Sequence, residues 1–157
     1  QDGYDFAKLR ELNKPVMITE FNFGSRDRGP FWGGVTEVAS EEARGPAYAK
    51  FIKQAVAEPS IVGVHWFQYL DQPVTGRLLD GENGHFGMIG ITDLPFTGFV
   101  DSVRKTNLQA LDQLGQEAVK AQVEADKSIK APLHTPQDGK GASSGTGHAG
   151  GHSGKGH

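Results

Sequence analysis

Apolar and polar positions follow several distinct rhythms along this chain. Phe6, Leu9 and Leu12 recur at helical spacing, which predicts a short helix over about residues 4–13, stopped by Lys14-Pro15. Val16–Phe21 is a nearly continuous apolar run, the pattern of a parallel strand covered on both faces. Tyr48, Phe51, Ile52, Ala55 and Val56 share one stripe of a second helix, which Glu58-Pro59 ends. Its start reads two ways. Ser40 with Glu41 and Glu42 offers a cap and an acidic first turn, whereas Gly45-Pro46 favours a start at Pro46. Residues 61–69 predict a second strand. Thr97 then caps a third helix with Val100, Val103, Leu108, Leu111 and Leu114 facing inward, and a weaker amphipathic stretch continues past Gly115 to about Lys130. Helix, strand, helix, strand, helix implies right-handed parallel βα units.

Two connections are long. Residues 24–39 combine Gly24, Gly29, Pro30, Gly33 and Gly34 with the aromatic Phe31 and Trp32, and a longer loop runs from Asp71 to Asp93. Long loops in compact domains tend to be functional. Beyond Ala131 the chain is Gly, Ser, His, Lys and Pro with almost nothing apolar, a composition expected to stay disordered. About 130 residues remain for a core, against about 250 in a complete eightfold barrel. The organisation read from this is a folded part over 1–115, a helical extension over 116–130 and a tail over 131–157.

The net charge of −3 is too small to argue for nucleic acid or an anionic membrane, so neither is expected as a partner, and no apolar run is long enough to cross a bilayer. The absence of Cys removes disulfides and a thiol nucleophile. His148, His152 and His157 sit among glycines that fix no geometry, with His134 further back, so no metal site is expected. Gln1-Asp2-Gly3-Tyr4 lacks the features of a signal peptide and reads like the middle of a longer protein.

The candidate chemistry lies at the strand exits. Simple alternation turns Glu20 toward the mouth of a barrel, with Ile18 and Val16 beneath it; Trp66 likewise stands above Val64 and Val62, and His65 faces the helices. A carboxylate and a flat ring at two successive C-terminal strand ends suit cleavage of a sugar, one as nucleophile and the other as platform. The plain alternative pairs Glu20 with Arg26 or Arg28 and leaves Trp66 in the core.

Ile18-Thr19-Glu20-Phe21-Asn22-Phe23-Gly24, followed by Asp27-Arg28-Gly29, resembles strand seven of clan A glycoside hydrolases, and more narrowly the β-agarases of glycoside hydrolase family 50. Gly63-Val64-His65-Trp66-Phe67-Gln68-Tyr69, with Asp71-Gln72-Pro73, Thr75-Gly76-Arg77 and Leu79-Asp80-Gly81-Glu82-Asn83, is similar to strand eight and its loop. Phe86-Gly87-Met88-Ile89-Gly90 resembles the segment that follows. The resemblance covers about residues 4–115. It implies an α/β fold, the C-terminal fragment of a (β/α)8 TIM barrel, with an agarose-like galactan as substrate and no cofactor.

On that resemblance Glu20 is the nucleophile of retaining hydrolysis, while the acid/base glutamate belongs to strand four, outside this chain. Trp66, Asn22, Gln68, Trp32, Asp71, Arg77, Asp80 and Glu82 are the candidate substrate contacts, although Asn22 stands where many such agarases carry histidine. The partners implied are the polysaccharide and the missing N-terminal part of the barrel, and a polymeric substrate suggests an extracellular or periplasmic location. The isolated chain is expected to be inactive. The reading set against this is a non-catalytic carbohydrate- or partner-binding remnant of the barrel.

Overall fold

The computed structural model describes residues 5–130. The expected tail over 131–157 lies outside the described residues. The elements run α1 (Phe6–Glu11), β1 (Val16–Phe21), α2 (Glu41–Val56), β2 (Ile61–Trp66) and α3 (Thr97–Lys130). This is the predicted order, and β1 and β2 pair in parallel as βα units require. What is seen is a mixed α/β fold with two strands.

Asp5 caps α1, its carboxylate accepting from the Lys8 amide at 3.2 Å. Arg10 on this helix grips Glu58 through Nε and Nη2 at 3.0 and 2.7 Å, tying α1 to the turn that feeds β2. α2 starts at Glu41, not at Pro46, although the Ser40 side chain makes no capping bond. Asp27 does so from a distance, its two oxygens accepting from the Glu41 amide at 3.0 and 3.1 Å. A sequence-distant cap is invisible to a local reading.

The core forms between the sheet and the two long helices. Ile18 and Phe21 from β1 meet Tyr48, Phe51 and Ile52 from α2, and Phe99 and Val103 from α3. Phe21 stacks on Phe51 with ring centroids 4.1 Å apart and stands edge-on to Trp66 at 5.2 Å. Each fully buried ring of this kind contributes about 1.5–3 kcal/mol.

Two register irregularities shape the sheet. β2 carries an extra residue where Val16 pairs with Ile61 but Met17 with Gly63. β1 carries one where Ile18 pairs with Val64 but Phe21 with Trp66. The first bulge leaves Val62 exposed, and the second turns both Thr19 and Glu20 outward between the buried Ile18 and Phe21. Simple alternation therefore failed in part. Ile18, Val64 and Trp66 face the helices, and Met17, Val62, Glu20 and His65 are exposed. The expected orientations of His65 and Trp66 are reversed.

α3 also departs from expectation. Phe99 and Val103 are buried, but Leu108, Leu111 and Leu114 are exposed, and the helix runs unbroken through residue 115 to Lys130. Its outer half is held by i,i+3 and i,i+4 pairs such as Gln113–Glu117, Gln122–Asp126 and Lys127–Glu124.

Candidate functional site

Glu20 ends β1 as an exposed carboxylate, and its charge reaches the guanidinium of Arg77. Arg77 belongs to the long loop after β2, whose tip folds on itself. Its amide donates to the Glu82 carbonyl at 2.8 Å, and the Gly81 amide donates to the Arg77 carbonyl at 2.8 Å. Gly76 makes this turn possible: its φ is +86°, and a Cβ there would strike the Gly81 backbone.

The Arg77 side chain forms a fork with Asp80, Nε to Oδ1 and Nη2 to Oδ2, both at 2.7 Å. Nη2 also meets Glu82 Oε2 at 2.6 Å, and the guanidinium lies 5.9 Å from the Phe67 ring. The Asp80 hydrogen bond first, then the charges of Glu82 and Glu20, raise the pKa of Arg77. In return, Arg77 lowers the pKa of Asp80 to about 2, so Asp80 stays ionised at any ordinary pH. Glu20, Arg77, Asp80, Glu82 and Phe67 thus gather at the C-terminal end of the strand pair.

Other candidate contacts lie elsewhere. Trp66 is committed to the aromatic core against Phe21, Phe23, Tyr48 and Phe99, and its Nε1 donates to the Phe86 carbonyl at 3.0 Å. It is not an exposed platform beside Glu20. The extra residue in β1 rotates Glu20 out of alternation and leaves Trp66 opposite the inward Phe21. Trp32 is half-buried, bridges to Gly84 and packs edge-on to Phe86. Asn22 is half-buried beside Gly34, and Gln68 Nε2 donates to the Leu70 carbonyl at 2.7 Å.

Asp71 is the clearest correction. It is no surface sugar contact but part of a buried charged cluster that the sequence reading missed. Its Oδ1 accepts from the Gly87 amide at 2.6 Å, and its Oδ2 lies 2.8 Å from His85 Nδ1. The other ring nitrogen of His85 meets Glu41 Oε2 at 2.5 Å. Arg44 completes the set, with Nη1 on Glu41 Oε2 at 2.8 Å, Nε on the Phe23 carbonyl at 3.0 Å and Nη2 on the Gly87 carbonyl at 2.7 Å. The Arg44 guanidinium lies 4.1 Å from the Phe99 ring. Arg44 and His85 are both fully buried.

A faint signal was available. Glu41, Arg44, Tyr48, Ile52 and Ala55 continue one helical stripe, so a charged pair extends the apolar face of α2.

The charges balance. With both ring nitrogens facing carboxylates, each must carry a proton, so His85 is an imidazolium. Two cations then meet two anions. Burial works against that cation, but its hydrogen bonds to Asp71 and Glu41 outweigh this and raise the pKa of His85 above 6.5. Burial likewise opposes charge on Glu41, yet His85 and Arg44 bring its pKa below 4.5.

The consequence for stability has two limbs. The His85 contribution is complete below pH 6.5 and is lost as pH rises through its raised value. The Glu41 contribution is complete above pH 4.5 and is lost as pH falls through its lowered value. Urea unfolding across pH is expected to show a maximum between those limits, and His85→Gln should flatten the alkaline side.

Gly87 sits at the heart of this cluster, and a Cβ there would press on the Asp71 amide and the Ile89 carbonyl. Gly87→Ala is expected to destabilise the fold by about 1–3 kcal/mol, measured by the same titration, because only backbone can yield.

Among the described residues, no group of three or more His, Asp or Glu side chains is set to hold a metal ion. No helix among them is long and apolar enough to cross a membrane.

Comparison with known proteins places these features. No protein-family model matches the chain. β-Agarase B of Vibrio sp. (strain JT0107) is 46% identical over 103 residues, covering 66% of this chain and 11% of that protein. The structure of an exo-β-agarase superposes with a TM-score of 0.65 at 39% identity, over 68% of this chain and 14% of the other. That of an agarase gives 0.64 at 36%, over 67% and 16%. The chain spans about a tenth of the length of the curated relatives it matches. Over about two thirds of its residues, the chain is thus homologous to the β-agarases, and its affinity is with glycoside hydrolase family 50.

Proposed function

We propose that these residues supply two adjacent βα units of a (β/α)8 barrel in an agarase-like retaining glycoside hydrolase, with Glu20 as the nucleophile. The observation that carries this is the exposed Glu20 carboxylate at the C-terminal end of β1, within electrostatic reach of Arg77 and away from the core under α2 and α3. The agarases to which the chain is homologous support the substrate class, a β-linked galactan.

In this reading a Glu20 oxygen attacks the anomeric carbon, and the leaving oxygen takes a proton from a second carboxyl group about 5–5.5 Å away. Water, deprotonated by that same group, then frees the sugar from Glu20. The acid comes from another strand of the barrel. Asp80 is held ionised by Arg77, Glu82 is paired to the same guanidinium, and Asp71 is occupied by His85 and the Gly87 amide. None of the three is free to protonate a leaving group. Arg77 keeps the approach to Glu20 ordered, above the Phe67 ring.

A polymeric substrate places the working protein outside the cytoplasm, in the periplasm or beyond. The exposed Met17 and Val62 on the open side of a two-stranded sheet fit further barrel strands as the partner. The 157-residue chain tested by itself on agarose is therefore expected to give no turnover.

The test of the nucleophile is a chimera: β-agarase B with its matching segment replaced by that of this chain. A 2-fluoro-galactoside inactivator should label Glu20, read by peptide mass spectrometry. Label on any other residue removes the assignment.

A further inference from the structure

The loop that carries Arg77 to Glu20 is closed at its base by buried groups. Gln72 and Gly84 pair through both backbone and side chain: the Gln72 amide donates to the Gly84 carbonyl at 3.2 Å, and the Gly84 amide donates to Gln72 Oε1. One residue outward on each strand of the loop stand Asp71 and His85, joined at 2.8 Å. The loop from Pro73 to Asn83, including Arg77, Asp80 and Glu82, starts and ends at this closure and is tied again at Asn83, whose Nδ2 donates to the Pro30 carbonyl at 2.9 Å.

Charged side chains anchor the closure to α2. His85 reaches Glu41, and Arg44 reaches the Gly87 carbonyl. Next along the chain, Phe86 is fully buried and packs against Phe67, the ring that Arg77 overlies, with centroids 6.0 Å apart. A displacement of His85 is thus passed to Arg77 by two routes, the loop backbone and the Phe86–Phe67 contact.

We propose that His85 is a positioning residue for the Glu20 site: as an imidazolium clamped between Asp71 and Glu41, it fixes the loop that holds Arg77 beside Glu20. This rests on Glu20 being the reacting carboxylate. The groups that face the ring are Glu41 and Arg44 from α2 and Asp71 from the loop itself, with Asp27 of the preceding loop acting on Arg44. The Phe31 and Phe96 rings close the remaining sides at 6.0 and 4.7 Å. Among the described residues, these two carboxylates are the bases shown against the ring. When His85 gives up a proton, one carboxylate loses its bond from the ring and faces an uncharged partner in a dry site, and the loop base loosens. The raised pKa of His85 agrees with this arrangement.

The 157-residue chain provides the direct test, by NMR of the His85 ring nitrogens and the Arg77 Nε–H as pH rises. Both signals should change together, with a shared midpoint above 6.5. In Glu41→Gln the shared midpoint should fall by about one unit or more, since one anionic partner is gone. In His85→Gln the Arg77 signal should not respond to pH over that range. A His85 titration that leaves Arg77 unmoved overturns the proposal, as does a midpoint unchanged in Glu41→Gln, a variant that loses a single charge and keeps its shape. In the agarase chimera, the alkaline limb of kcat should move with the same substitutions. If Glu20 escapes the fluoro-sugar label while the coupled NMR titration holds, the clamp stands and the nucleophile assignment falls; the reverse pattern removes the clamp alone.

Discussion

Glu20→Ala in the agarase chimera is expected to lower kcat on the order of 10⁴-fold or more, with little change in thermal stability. The side chain is exposed at a strand end and is no part of the core, so its loss removes chemistry and not packing. A structural ion pair on a surface would behave oppositely, with activity intact. Azide sharpens the test. In a retaining enzyme stripped of its nucleophile, the small anion fits the vacated space and attacks the anomeric carbon directly, giving a glycosyl azide of inverted configuration. Recovery of turnover with that product identifies Glu20 as the displaced group. Loss of activity without azide rescue would assign it to binding only.

Arg44→Met is expected to cost about 3–5 kcal/mol in urea unfolding, because it leaves two carboxylates facing a single cation in a dry interior. Against a total of about 5–15 kcal/mol for an ordinary domain, that is a large share. The guanidinium also satisfies the carbonyls of Phe23 and Gly87, which would be left without a donor. Arg44→Lys keeps the charge but cannot reach Glu41 and both carbonyls at once, so it should fall between the two. Adding Glu41→Leu to Arg44→Met should restore part of the loss, since the charge count is again even. A Met variant as stable as the parent would show that the cluster is solvated and the balance of charges immaterial.

The sequence revealed the element order because strands, helices and breakers are local signals. Val16–Phe21 was read to the residue, and the parallel pairing followed from the intervening helix. Glu20 was legible as a strand-end carboxylate. Trp66 was not legible as a core ring, because its direction depends on how two strands align and not on either alone. Asp71 and His85 were misplaced or overlooked for a related reason: polar residues in a Gly-rich loop look solvated until Arg44 and Glu41 arrive from another element. Leu108, Leu111 and Leu114 misled in the opposite sense, since helical spacing marks an apolar stripe without saying what covers it.

The paired strands fall out of step twice, β2 gaining a residue low on the ladder and β1 gaining one near its top. The offsets cancel, so the strands finish in step with Phe21 opposite Trp66. The outward aim of Glu20 is thus written in a mismatch of lengths, and no single side chain encodes it. Deleting Thr19, itself exposed between Ile18 and Glu20, would silence the strand end as surely as replacing Glu20.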